Sequence, residues 1–299
     1  SGFIGQHLCE LLLKNKFKII ALVREKNSVV SEKLLKLGAE VDYTGDLISN
    51  KKIFKKYSDI NIIINLAALA HINIKNISEK LLIKQNEIEK NIVKSFSNKN
   101  IRVIHLSSAK VKDIKKNNLF NSPYEKVKFN SEIIIRKKYK NHVILRPPLV
   151  YGPQVKANFL HLIKAIYYNI PLPFKNIHNK RSYIYIENLT DAILHIIKKN
   201  YFNGQTYYIS DNFSISTPKL CILIAKNLNR KLILFYFPLI LIKLLLNLLG
   251  RPDIFNKTIE NFIVDGQKFI NDTNWTPPIS AMEGIKKTCL WYKRRFNIK

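Results

Sequence analysis
The chain has 299 residues, enough for one large domain or two smaller ones with a sizeable buried core. A formal net charge of +29 would point to nucleic acid, yet the lysines are spread over every segment beside an excess of Ile and Asn, and no basic stripe with interleaved aromatics stands out. Three cysteines, Cys9, Cys221 and Cys289, lie far apart without metal-ligand spacing, which argues against a disulfide framework or a metal site and fits a reducing cytosol.

The opening stretch SGFIGQHLCELLLKNK carries Gly2 and Gly5 three residues apart, followed by Ile4, Leu8, Leu11 and Leu12 at helical spacing. This predicts a glycine turn entering a helix, where free backbone N–H groups and the helix dipole favour a pyrophosphate. Taken alone, the pattern equally describes an ordinary helix start, because the full dinucleotide fingerprint needs a strand and a further glycine upstream. Next come three continuous apolar runs, FKIIALV (17–23), INIIINLAA (60–68) and IRVIHLSS (101–108). Helix-like segments alternate with them, SEKLLKLGAEV (31–41) and ISEKLLIKQNEIEKNIVKSF (77–96). Fully buried parallel strands read this way, and their alternation with helices predicts an α/β fold with a Rossmann-type doubly wound parallel sheet.

Ligands of such sheets lie beyond the carboxyl ends of the strands. After IIALV stands Arg24, a cation where an NAD-specific fold carries an acid, so a 2′-phosphate and NADP(H) gain weight. After VDYTG stand Asp46, a carboxylate placed like those that hydrogen-bond an adenine amino group, and Leu47; after IIIN stand Leu66, Ala67 and Ala68, small or apolar residues that let a dinucleotide approach the backbone. Each has an ordinary alternative, surface charge or tight packing; in series they support one another. The third run ends in Ser107 and Ser108, and sixteen residues after Ser108 comes Tyr124, with Lys128 four further on in SPYEKVKFNSE. That spacing puts phenol and ammonium on one helical face. A phenol with a pKa near 10 moves a proton at neutral pH only with help, which a neighbouring ammonium supplies, while a serine hydroxyl holds the substrate oxygen.

LILFYFPLILIKLLLNLLG (232–250) is apolar, but Pro238, Lys243 and Asn247 interrupt it. It is expected to form a buried strand and then an amphipathic helix, without stable membrane insertion; an in-plane membrane helix is the alternative.

The glycine turn, NLAALAH, HLSSAKV and Tyr124-x-x-x-Lys128 resemble the extended short-chain dehydrogenase/reductases, the NAD-dependent epimerase/dehydratase family. LRPPLVYGPQVKANFLHLI, PLPFKNIHNKRSYIYIENLTDAI, STPKL and WTPPISAMEGIKKT continue the likeness in order. Within the family it is nearest to bacterial UDP-glucose 4-epimerase-like enzymes and UDP-N-acetylhexosamine 4-ketoreductases of surface-polysaccharide synthesis. The resemblance implies a catalytic trio of Ser108, Tyr124 and Lys128. It implies a cofactor site for NADP(H) or NAD(H) at Gly2, Phe3, Ile4, Gly5, Arg24, Asp46, Leu47, Leu66, Ala67, Ala68 and Pro147, with Tyr124 and Lys128. Asn158, Arg181 and, more weakly, Arg251 match positions that hold the UDP moiety, and a guanidinium suits a diphosphate. The expected organisation is a cofactor domain over 1–157, rejoined by a helix near 186–200 and a strand near 205–210, and a nucleotide-sugar domain over 158–299.

Implied too are hydride transfer at C4 of a UDP-sugar, a cytoplasmic homodimer and no nucleic-acid partner. A non-catalytic NADP-binding scaffold, or a degraded gene product, is the alternative. Two departures affect these expectations. The stretch between Ser108 and Tyr124 is short, which leaves substrate choice open, and the helix QNEIEKNIVKSF carries charges where relatives have small residues. Relatives also begin with a strand and a first glycine not found here, so the reading frame is expected to start upstream. Dehydration ranks lower, because Ser122 and Pro123, not Asp and Glu, precede Tyr124.

Overall fold
In the computed structural model, residues 2–26, 28–50, 53–57, 59–67, 84, 86–96, 100–111, 120, 122–199, 203–248, 250, 255 and 258–297 are described. The chain divides into two compact units, one of residues 1–147, 190–209 and 268–276, the other of 148–189, 210–267 and 277–299.

The first unit alternates helices and strands. Helix α1 (Phe3–Lys14), β1 (Ile20–Val23), α2 (Val29–Lys36), β2 (Glu40–Tyr43) and β3 (Ile62–Asn65) come first. They are followed by α3 (Asn86–Phe96), β4 (Arg102–Leu106), α4 (Pro123–Lys138) and β5 (His142–Arg146). Helix α6 (Ile186–Lys198) and β8 (Gln205–Tyr208) return to this unit. All its strand pairs are parallel: β1 with β2, and β3, β4, β5 and β8 in that order. The expected parallel α/β architecture is therefore present. β4 and β5 are buried along their whole length, as continuous apolar runs predict. β1 and β3 are only partly buried, because each stands at the edge of its sheet. One core cluster packs Ile88, Ile92 and Phe96 of α3 and Ile135 of α4 against Val103 of β4. The i, i+4, i+8 spacing of the α3 residues puts them on that one face.

Local chemistry fixes the helix that matters most. Ser122 accepts from the Glu125 N–H at 3.3 Å, and Pro123 opens the first turn with its preset φ. α4 thus starts one residue before Tyr124, which sits at a defined place at the sheet's edge.

The second unit holds β6 (Leu149–Tyr151), α5 (Ala157–Tyr167), β7 (Arg181–Tyr185), β9 (Ser214–Ile215), α7 (Thr217–Leu228), α8 (Leu239–Leu248) and α10 (Ala281–Arg295), with α9 (Gln267–Thr273) running from one unit into the other. β7 pairs with β6 in parallel and with β9 antiparallel. Ser216 and Ser280 cap α7 and α10 through the N–H of the third residue on. On α10, Gly284 packs against Tyr151 and Tyr185. A Cβ there would stand 2.8 Å from the Tyr151 hydroxyl and from the Tyr185 ring. Gly284→Ala is therefore expected to destabilise: overpacking costs about 1–3 kcal/mol, against a helix-propensity gain of at most about 1 kcal/mol. A lowered thermal midpoint measures it.

The apolar segment 232–250 departs from expectation. Leu234 forms only an isolated bridge to Leu172, and Ile233, Phe235 and Tyr236 are exposed, so there is no buried strand. α8 buries Ile242 but leaves Leu239, Ile240, Leu241, Leu244 and Leu248 exposed. The reason is compositional: with ten residues and almost no polar ones, burying one face leaves an apolar face outside. Among the described residues no helix is long and apolar enough to cross a membrane.

Candidate active site at the carboxyl ends of the strands
Ser108 follows the last residues of β4, and Tyr124 lies in the first turn of α4. A hydrogen bond joins their hydroxyls. The Ala109 N–H donates to the Pro147 carbonyl at 2.9 Å, which brings the end of β5 beside this turn. Lys128, one helical turn after Tyr124, is buried, and its Nζ donates to the Leu106 carbonyl at 3.0 Å. The structure thus brings together the three residues singled out by spacing.

Their electrostatics differ from expectation. Burial pushes the Tyr124 phenol above its ordinary value, and the Ser108 hydrogen bond only opposes this. Burial also pushes the Lys128 ammonium down, while the charges of Glu89 and, second, Glu132 hold its proton on. The Lys128 ammonium is turned inward to the Leu106 carbonyl and is not among the groups that shift the Tyr124 phenol, so the simple picture of a phenol acidified by its neighbour does not describe this geometry.

Beneath the trio lie two buried carboxylates. Glu132, one turn after Lys128, is fully buried and receives both Nε and Nη2 of Arg146, at 2.9 and 2.8 Å. Arg136 reaches its Oε2 at 2.7 Å, and the Ser107 hydroxyl its Oε1 at 2.5 Å. Residues 124, 128, 132 and 136 therefore form one i, i+4 column down α4. Glu89 of α3 is buried as well. Asn65 at the end of β3 donates to Glu89 Oε1 at 2.9 Å and to His105 Nδ1 at 3.1 Å. Register explains this contact, since Asn65 and His105 are directly paired on neighbouring strands. Burial drives His105 far below its usual range, so the ring is neutral and accepts through Nδ1.

The residues at this edge suit a dinucleotide. Gly2 caps α1 without a side chain, and the first intrahelical bond runs from Gln6 N to the Gly2 carbonyl. The amides of Phe3, Ile4 and Gly5 precede that bond, and nothing stands within 4 Å of where a Gly2 Cβ would be. Gly5 lies beside Leu66 at the end of β3. Arg24 is exposed directly after β1. Asp46 is exposed in the turn after β2, where it accepts from Ile48 N at 3.0 Å, and Leu47 is half-buried beside it. Ala67 donates its N–H to Asn65 Oδ1 at 3.1 Å. Ala68 and Arg251 lie outside the described residues.

The chain matches the model of the NAD dependent epimerase/dehydratase family over residues 1–210. It belongs to that family. Among curated relatives, it is 27% identical to a UDP-glucose 4-epimerase of Vibrio cholerae over 311 aligned positions, covering 96% of this chain and 92% of that protein. Its fold is that of a UDP-glucuronic acid 4-epimerase from Bacillus cereus solved in complex with NAD, at 20% identity and a TM-score of 0.78, covering 100% and 96% of the two chains. A dTDP-glucose 4,6-dehydratase from Bacillus anthracis, also solved with NAD, superimposes with a TM-score of 0.74 at 18% identity, covering 100% and 96%.

The other residues expected from the epimerase/dehydratase likeness lie in the second unit. Asn158 is exposed in the first turn of α5. Arg181 opens β7, where its Nη1 donates to the Glu260 carbonyl at 2.5 Å and its guanidinium lies 5.7 Å from the centre of the Phe262 ring. Asn65, Glu89, His105, Glu132, Arg136 and Arg146 escaped the sequence reading, and Ser107 was read only as the end of an apolar run. Glu132 had a signal, its place four residues after Lys128; Glu89 was visible only as a charge beside an apolar helical stripe.

Proposed function
We propose that this chain acts at C4 of a UDP-sugar by hydride transfer, with Tyr124 as the acid/base residue. The observation that carries this reading is the Ser108–Tyr124 hydrogen bond at the end of β4, with Lys128 one turn on. Ser108 holds the substrate oxygen, and Tyr124 moves the proton on it. Lys128 turns from the Leu106 carbonyl toward the developing phenolate and balances its charge. NAD, held over the α1 turn and the ends of β1 to β3, supplies the hydride acceptor and donor. The first-turn amides of α1 would bind its pyrophosphate, Leu66 and Ala67 would let it approach the backbone, and Pro147 would line the nicotinamide. Asn158 and Arg181 hold the UDP moiety. Arg181 is already engaged with the Glu260 carbonyl, so it has to exchange that bond for phosphate oxygens.

Likeness to the Vibrio cholerae protein favours epimerisation. Arg24, exposed after β1, favours the second reading, reduction of a 4-keto sugar nucleotide with NADPH. One assay separates them. Redox-neutral interconversion of UDP-glucose and UDP-galactose, or of their N-acetyl derivatives, supports epimerisation. Net consumption of NADPH by a UDP-4-keto-6-deoxy sugar supports reduction. Absence of both turnovers from the folded, cofactor-loaded protein refutes the proposal and favours a scaffold. A role in surface-polysaccharide synthesis fits either chemistry, and the homodimer rests on the family likeness alone.

Glu89 bears on the pH profile. Its charge raises the Lys128 pKa and burial lowers it, so activity that needs the ammonium is lost as pH rises through that pKa. Glu89→Gln removes the supporting charge, and the alkaline limb of kcat is expected to move to lower pH. An unmoved limb means that Glu89 only packs.

A further inference from the structure
Beyond the reaction, the geometry points to a second function for the apolar segment around α8: it docks the enzyme on an anionic lipid surface. Ile240, Leu244 and Leu248 form an outward column at i, i+4, i+8, with relative exposures of 81%, 55% and 78%. Tyr236, just before the helix, is 59% exposed. The opposite face is occupied, since Ile242 and Leu246 pack into a cluster with Ile177 and Ile259. An exposed apolar patch of this kind on a folded protein marks a contact with something else.

Charge identifies the partner. Between Asp211 and Asp253 the sequence carries six cations, Lys219, Lys226, Arg230, Lys231, Lys243 and Arg251, and no carboxylate. Lys226, Lys231 and Lys243 are exposed. Lys175, also exposed, is brought to the segment by its N–H bond to the Phe235 carbonyl at 3.3 Å. An exposed aliphatic column in a segment that carries cations and no carboxylate suits acyl chains beneath anionic headgroups. Two copies meeting through this patch would oppose like charges, and the α8 column itself is aliphatic, so it offers nucleic-acid bases no stacking surface. Ten residues rise about 15 Å, half of what spans a bilayer, so α8 lies in the interface plane rather than crossing it.

The test is co-sedimentation of the full chain with vesicles of phosphatidylglycerol and phosphatidylcholine, compared with phosphatidylcholine alone. Binding is expected only with phosphatidylglycerol. The triple variant Ile240→Asn, Leu244→Asn, Leu248→Asn, whose side chains are exposed and should leave the melting midpoint unchanged, is expected to lose at least tenfold in affinity. Ile240→Trp reads the same contact by a blue-shifted emission on adding those vesicles. No binding to phosphatidylglycerol, or equal binding by the triple variant, overturns the proposal; the latter means charge alone acts. Self-association of the wild type without lipid, abolished in the triple variant, also overturns it and assigns the face to a second copy.

Discussion

Tyr124→Phe is expected to lower kcat by about 10²–10⁴-fold while leaving NAD affinity within a few-fold of wild type. The substitution deletes one oxygen from a residue that packs through its ring, and the partner it strands, the Ser108 hydroxyl, is only half-buried and can turn to water. Fold and cofactor site should survive, so the loss reads on proton transfer alone. Sugar-nucleotide turnover followed beside cofactor titration makes the comparison. Retained turnover in Tyr124→Phe would mean that another group moves the proton. Lys128→Met should differ by weakening cofactor binding as well, because the family likeness also assigns the ammonium to the nicotinamide ribose.

Glu132→Ala is expected to give the largest loss of stability, about 3–5 kcal/mol in denaturant unfolding. Glu132 and Arg146 are both fully buried, and removing the carboxylate leaves a guanidinium in the core with two hydrogen bonds unmade. Arg136 and Ser107 lose their partner as well. Arg146 also donates from Nη1 to the Tyr208 hydroxyl at 3.0 Å, a neutral partner that does not balance its charge. The double variant Glu132→Leu, Arg146→Met removes both charges, and its loss should be smaller than the sum of the two single losses. Additive losses would show that the pair is not energetically coupled. The cluster stands directly beneath Lys128, so Glu132→Ala is also expected to impair catalysis in whatever fraction stays folded.

The two carboxylates below Lys128 have different surroundings. Glu132 faces two guanidiniums, whereas Glu89 accepts from the neutral Asn65 amide. Of the two, Glu89 exerts the stronger pull on the ammonium, although it lies on another helix and burial disfavours its own charge. One charged residue of QNEIEKNIVKSF thus enters the electrostatics of the site.

The sequence alone determined the features that depend on local periodicity. The run IRVIHLSS became the buried β4, and Ser122-Pro123 set the start of α4. The four-residue spacing of Tyr124 and Lys128 put both on one face, because an α-helix repeats every 3.6 residues whatever surrounds it. Tertiary structure decided what depends on neighbours distant in sequence. Asn65 meets His105 only through strand register, Glu132 meets Arg146 only because β5 lies under α4, and the direction of the Tyr124 and Lys128 shifts follows from burial that no spacing reveals. The exposed face of α8 belongs to the same class. Composition says that a segment is apolar, but only the packing of Ile242 and Leu246 decides which side of it water still meets.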